Sequence, residues 1–239
     1  MYKRQKVDSV EKGIIKSIKL SSGEIIKTKT IIIATGARWR ELGVPGEKEN
    51  LGNGVAYCPH CDGPFFKGKD VAVVGGGNSG IEAALDLAGI VNKVTVFEFM
   101  SDLKADNILV EKAKEKQNID ILTNVETSQI LSNSGKVSGL EYIERDSSEK
   151  KIVDLEGIFV QIGLVPNSQF LKGTVDLNDF GEIIVNHLGE TSEEGIYACG
   201  DVTTIPYKQI IISMGEGAKT ALSVSDYLMK SDDFSIIPN

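Results

Sequence analysis

Apolar positions along the chain fall into short runs separated by glycine-rich or polar turns, a pattern that predicts strands and a few helices rather than a helical bundle. Residues 13–20 (Gly-Ile-Ile-Lys-Ser-Ile-Lys-Leu) and 24–28 predict a hairpin around Ser21-Ser22-Gly23. Thr30-Ile31-Ile32-Ile33-Ala34-Thr35-Gly36 is a continuous β-branched run closing on glycine. A strand apolar on both faces suits the interior of a parallel sheet. Residues 37–57 carry Pro45 and glycines at Gly43, Gly46, Gly52 and Gly54, and read as a linker.

The next block changes character. Residues 70–74 (Asp-Val-Ala-Val-Val) predict a buried strand, followed by Gly75-Gly76-Gly77-Asn78-Ser79-Gly80. Residues 81–89 have helical spacing, with Ile81, Ala84, Leu85 and Ala88 on one face. Residues 93–98 (Lys-Val-Thr-Val-Phe-Glu) predict a second strand and 108–117 a helix charged on its outer side. Strands are expected over 119–122, 125–131, 137–144 and 151–161, with the charges of 146–151 at a solvated hairpin tip. Farther on, Ile183-Ile184-Val185 predicts a short strand, 195–201 a strand running into a Gly-Asp turn, and 213–230 a C-terminal helix. No repeat of solenoid period is visible.

Composition narrows the function classes. The 239 residues are 41% apolar and 25% charged, enough to bury a core without a disulfide framework. With 26 basic and 34 acidic residues the formal net charge is −8, which argues against broad nucleic-acid binding. It does not argue against small anions held locally by backbone amides. No apolar run approaches the roughly 20 residues of a membrane-spanning helix, and the start lacks the apolar stretch of a secretory signal. Three cysteines do not make a secreted disulfide scaffold, so a soluble cytoplasmic protein is expected.

Gly75, Gly77 and Gly80 form G-x-G-x-x-G with a strand before, a helix after and an acid closing the next strand. Gly75 allows the tight turn, Gly77 lets a pyrophosphate approach the backbone, and Gly80 lets the helix pack closely on the strand. The helix start supplies free N–H groups for the phosphates. Glu98 is placed to accept a hydrogen bond from a ribose 2′-hydroxyl and to repel a 2′-phosphate. Arginine is the usual compensation for a 2′-phosphate, and none occurs between Arg40 and Arg145. NADH rather than NADPH is therefore expected. The bland alternative is a structural loop with no ligand.

Cys58-Pro59-His60-Cys61 is a C-x-x-C with three readings: half of a zinc site, two inert buried thiols, or a redox dithiol. A zinc site must find two more ligands among Cys199, His187 and His60, so no metal is expected. The redox reading is favoured, with protonated His60 able to stabilise a thiolate. Asp62 reads as a turn residue or as an acid that protonates the leaving thiolate. Hydride transfer from NADH reaches a dithiol most readily through a flavin, which predicts an FAD site.

Cys-Pro-His-Cys-Asp-Gly, Gly-Gly-Gly-Asn-Ser-Gly, Ala-Cys-Gly-Asp-Val and Tyr-Lys-Gln-Ile together resemble the thioredoxin-reductase-like flavoproteins of the pyridine nucleotide-disulfide oxidoreductases. The resemblance runs from about residue 13 to residue 230 and is nearest the branch that takes electrons from NADH and serves a peroxiredoxin. It implies an α/β fold of two Rossmann-like, three-layer dinucleotide-binding domains. The NAD domain (40–165, with the redox disulfide) would be inserted into an incomplete FAD domain (6–39 and 166–239). It implies that Cys58 and Cys61 are the active disulfide with Asp62 as acid, and that electrons pass from NADH to FAD to Cys58–Cys61 to an acceptor disulfide in peroxide detoxification. Gly200 and Asp201 would form the second FAD motif, Thr35 and Gly36 would line the same cofactor, and Lys208, Gln209 and Ile210 would face the isoalloxazine. A peroxiredoxin-type or thioredoxin-like acceptor and a homodimeric parent are implied. The alternatives are a thioredoxin reductase proper and a non-catalytic nucleotide-binding fragment.

The chain departs from that family by starting late, without the FAD domain's own G-x-G-x-x-G, and residues 1–5 do not match it. A fragment of a longer protein is therefore expected, with weak or absent FAD binding and with Ile31 and Ile33 left exposed.

Overall fold

The computed structural model describes residues 5–231, so the mismatched residues 1–4 and the tail beyond 231 lie outside the described residues. In chain order the strands are β1 (Val7–Glu11), β2 (Lys16–Leu20), β3 (Ile25–Thr28), β4 (Ile31–Ile33), β5 (Ala37–Trp39) and β6 (Val55–Ala56). The short helix α1 (Pro59–Asp62) precedes β7 (Asp70–Val74), α2 (Asn78–Ala88), β8 (Lys93–Phe97), α3 (Asn107–Lys114) and β9 (Ile119–Leu122). Then come β10 (Val125–Asn133), β11 (Lys136–Glu144), β12 (Glu149–Asp154), β13 (Gly157–Val160), β14 (Leu164–Pro166), β15 (Ile196–Ala198) and α4 (Ile210–Lys230). Contacts divide the chain into two compact units, 39–163 and 1–38 with 164–239.

The unit 39–163 is three-layered. Its centre is a parallel sheet of order β6-β13-β7-β8-β9. Alternation along β7 sends Val71 and Val73 to one face, where Ile81, Ala84 and Leu87 of α2 cover them together with Phe159. Ala72 and Val74 go to the other face with Phe97 and Ile158, against Ile130, Val137 and Leu140 of the antiparallel sheet β10-β11-β12. This is the Rossmann-like, three-layer arrangement that the resemblance implied. The buried side of α2 differs from expectation: Ala83 and Leu87 are buried, while Leu85 and Ala88 are only partly so. The strand expected over 151–161 is two strands. Leu155 and Glu156 break it, so that β12 pairs antiparallel with β11 while β13 enters the parallel sheet.

Residues 37–57 are not a plain linker. Glu47, 1% exposed, accepts hydrogen bonds from Leu42 N (2.9 Å), Gly43 N (2.8 Å) and the Tyr57 hydroxyl (2.9 Å). A buried carboxylate holds its place only when so satisfied, and here it folds the segment around itself.

The other unit carries the antiparallel sheet β1-β2-β3 and the parallel pair β4–β15. The 13–28 hairpin forms, and β1, which the sequence reading did not mark, adds a third strand to it. The expectation that Ile31 and Ile33 are exposed is wrong. Both are buried against Val10, Leu171, Ile183 and Val202, and it is Ile32, on the opposite face of β4, that is 40% exposed. Nor is 183–185 a strand: Ile183 makes single bridges to Leu177 and Thr203, and its side chain fills the core. Among the described residues no helix is long and apolar enough to cross a membrane.

Candidate functional site

Gly75 closes β7 at φ +122°, and a Cβ there would stand 2.3 Å from Gln161 O. A Cβ on Gly80 would stand 1.9 Å from Gly75 O, so only glycine lets α2 lie so close to the loop. Gly76 is equally confined, by Leu103 and the Glu98 carboxylate. Gly77 differs: nothing lies within 4 Å of the position its Cβ would take. It is the N-cap of α2, and no side chain caps that end. The loop is therefore packed tight at three glycines and open at the one that fronts the uncapped helix start. That cradle fits a dinucleotide pyrophosphate. Asn78 is held aside by Asp106, donating to its carboxylate at 3.1 Å and accepting from its N–H at 2.8 Å, while Ser79 is exposed.

Glu98, 8% exposed, follows β8 directly. One carboxylate oxygen accepts from Gly76 N at 2.5 Å and the other from Met100 N at 2.8 Å. The acid that was expected to read a ribose thus also fastens the glycine loop to the next strand. A carboxylate has about four acceptor sites, so two remain for ribose hydroxyls.

In the same unit Cys58 and Cys61 form a disulfide, which takes both sulfurs out of the zinc reading and leaves no pair of free thiols there. Pro59 opens α1 with the φ that a first turn needs, and Cys58 is its N-cap, with Sγ accepting from Cys61 N at 3.2 Å. Cys61 is exposed and Cys58 half-buried. Cys58 and Asp62 both line one cavity of about 590 Å³, with Trp39, Tyr57, Phe65 and Phe66. Trp39 and Tyr57 stack at 5.8 Å between centroids. His60 turns its Nδ1 toward Asp86, 3.5 Å away.

Tyr57 is fixed by two residues that no motif singles out. Gln161 Nε2 donates to Tyr57 O at 2.8 Å, and Glu47 receives the Tyr57 hydroxyl. Burial and the Glu47 charge push the Tyr57 phenol above its ordinary value of 10.0. A polar residue directly after the apolar run 157–160 was the one available signal for Gln161.

In the other unit, Gly200 adopts φ +73° and leads into Asp201, whose carboxylate accepts from Ser213 of α4 at 2.8 Å. Gly36, at φ +65°, has open space around it. Thr35 donates its hydroxyl to Asn167 O at 2.7 Å, while Asn167 Nδ2 returns a bond to Thr35 O at 2.9 Å. Lys208 is paired with Glu182 at 2.8 Å and donates to Thr203 O. Gln209 is the N-cap of α4, and Ile210 is 83% exposed at its first turn. The glycines at Gly36 and Gly200 and the carboxylate of Asp201 fit a cofactor; the Thr35 hydroxyl and the Lys208 ammonium are already engaged. Cys199 is buried, and burial pushes its thiol up, the opposite of a reactive cysteine.

Residues 1–223 match the family model described as pyridine nucleotide-disulphide oxidoreductase. The F subunit of Pseudomonas putida alkyl hydroperoxide reductase is 57% identical over 219 residues, covering 92% of this chain and 42% of that protein. A Bacillus subtilis protein named NADH dehydrogenase is 53% identical over 227 residues, covering 95% of this chain and 44% of its own. The thioredoxin reductase of Streptococcus pyogenes has a similar structure, with TM-score 0.88 and 34% identity over 95% of this chain and 74% of that one. The chain spans less than half the length of the curated relatives it matches.

Proposed function

Because this chain belongs to the pyridine nucleotide-disulphide oxidoreductase family, we propose that it carries the NADH-binding and disulfide-reducing part of a flavin-dependent disulfide reductase. The observation that carries the reading is the accessible Cys58–Cys61 disulfide in the same unit as the glycine loop. Gly75 to Gly80 and Glu98 would hold NADH; Gly36, Gly200 and Asp201 would hold FAD. Together the two cofactors supply a two-electron transfer that a disulfide can accept.

The chain's own residues account for the remaining chemistry. Two electrons and two protons convert the disulfide to two thiols. One cysteine, as thiolate, then attacks an acceptor disulfide and expels one acceptor thiolate, giving a mixed disulfide. The other cysteine attacks its partner's sulfur, expels the second acceptor thiolate and restores Cys58–Cys61. Asp62, which lines the same cavity as Cys58, would deliver a proton to a leaving thiolate. The acceptor would be a peroxiredoxin-type or thioredoxin-like disulfide protein, in the cytoplasm, with the parent a homodimer. The likeness to a thioredoxin reductase structure favours a second reading, in which the acceptor is a thioredoxin.

Anaerobic incubation with NADH and excess FAD, followed by thiol alkylation, tests the proposal. Labelling of Cys58 and Cys61 only when both cofactors are present supports it. An unlabelled pair in protein that retains the flavin, and that still opens with a small dithiol, contradicts the electron route.

A further inference from the structure

One cation stands over the residue that follows Glu98, where spacing along the chain gave no reason to place it. Arg145 lies far downstream of Glu98 in sequence, yet its guanidinium sits over the Phe99 ring, 3.9 Å from the centroid. Its Nη1 donates to Phe99 O at 2.9 Å and to Asn124 Oδ1 at 3.2 Å. The backbone is tied in the same place: Arg145 N donates to Asn124 O, Asn124 N to Met100 O, and Val125 N to Glu98 O. The guanidinium is thus immobilised against the residue that directly follows the ribose-reading acid. Both bonds use Nη1, so Nη2 and Nε keep their donors in the fork that matches a phosphate.

We propose that Arg145 is a specificity-determining residue for the dinucleotide: a pre-positioned cation beside the ribose 2′ position, cancelled as a phosphate site by Glu98. The proposal rests on the reading of Gly75 to Gly80 and Glu98 as a dinucleotide site. Glu98 and Arg145 together present no net charge to a 2′-phosphate, and the carboxylate is the group fixed at the glycine loop, through Gly76 N. Neutralising Glu98 leaves one unopposed positive charge on a side chain whose rotamers are already ordered, so little further entropy is lost when it binds. NADPH acceptance then needs no added arginine. Lys104 is also tied to the loop, its backbone N donating to Gly76 O at 2.9 Å, and the test must separate its charge from that of Arg145.

The dissociation constants of NADH and NADPH, read by nicotinamide fluorescence, are compared for the wild type, Glu98→Gln, Arg145→Met and the double variant. Glu98→Gln is expected to improve NADPH relative to NADH by about tenfold or more, the size of one charge-assisted hydrogen bond. In the Arg145→Met background the same replacement is expected to gain little, whereas in a Lys104→Ala background the gain persists. Arg145→Lys keeps charge without the fork or the planar stack and should retain part of the gain. It carries the test if thermal unfolding shows that Arg145→Met has lost its fold. An equal gain with and without Arg145, or no gain from Glu98→Gln in a protein that binds NADH, overturns the proposal. Failure of the wild type to bind NADH overturns the dinucleotide reading, and this proposal with it.

Discussion

Gln161 donates its side-chain amide to the carbonyl of Tyr57 at 2.8 Å, linking the residue before Cys58 to the chain that leaves β13. The same Gln161 presents its own carbonyl to the space above Gly75, where no side chain fits. One residue therefore braces both the disulfide segment and the nucleotide loop. Replacing Gln161 with Leu keeps the volume but strands the Tyr57 carbonyl. Urea unfolding of this unit, followed by the fluorescence of Trp39, the only tryptophan, should show a loss of about 1–3 kcal/mol.

Glu47→Ala removes the acceptor of three donors at a site that is 1% exposed. The loss should exceed that of Gln161→Leu, at about 3 kcal/mol or more, because several buried donors are left unpaired together. The same Trp39 transition reports it, and a change below about 0.5 kcal/mol would mean that the 37–57 segment is not held by this carboxylate.

Two glycines of one motif should respond in opposite ways. Gly80→Ala drives a Cβ into Gly75 O and should cost about 2 kcal/mol or more of stability. Gly77→Ala meets nothing within 4 Å, and its backbone, φ −82° and ψ −177°, is extended. Its thermal unfolding should match the wild type while NADH binding weakens by about tenfold or more, because the methyl occupies the pyrophosphate approach.

The raised phenol of Tyr57 gives a pH dependence of definite sign. Its folded-state pKa lies above its unfolded value of about 10, so the contribution is complete below about pH 10. It is lost as pH rises beyond that, since the unfolded chain ionises first. The stability difference between wild type and Tyr57→Phe should therefore be constant near neutrality and shrink in alkali. A difference that grows with pH would contradict the assignment.

Much of the central α/β unit was legible because its signals are local. The apolar run 71–74, the glycine spacing and the acid after 93–97 lie within about 30 residues, and that stretch forms β7-α2-β8 as read. What stayed hidden depends on partners far along the chain. Glu47 looks like one more charge in a glycine-rich stretch until the Tyr57 hydroxyl and the 42–43 amides close on it. Arg145 is meaningful only once the β10–β11 hairpin brings it back over Phe99. The run Ile31-Ile32-Ile33 gave no hint that its outer residues are buried and its middle one exposed, because a uniform apolar triplet carries no face information. Of the residues implied by resemblance, Thr35 and Lys208 prove to be engaged with Asn167 and Glu182, distant partners that the motifs do not encode.

The central claim is that Cys58–Cys61 is a working disulfide rather than a structural staple. The most direct measurement is a titration of the native chain in dithiol redox buffers, with the cysteines counted by alkylation and mass spectrometry. The account predicts that Cys58 and Cys61 open and re-form reversibly as a pair while buried Cys199 stays unlabelled and Trp39 fluorescence still reports a folded unit. Opening that occurs only together with loss of the folded Trp39 signal, and hence only on unfolding of the unit that holds the pair, would contradict it.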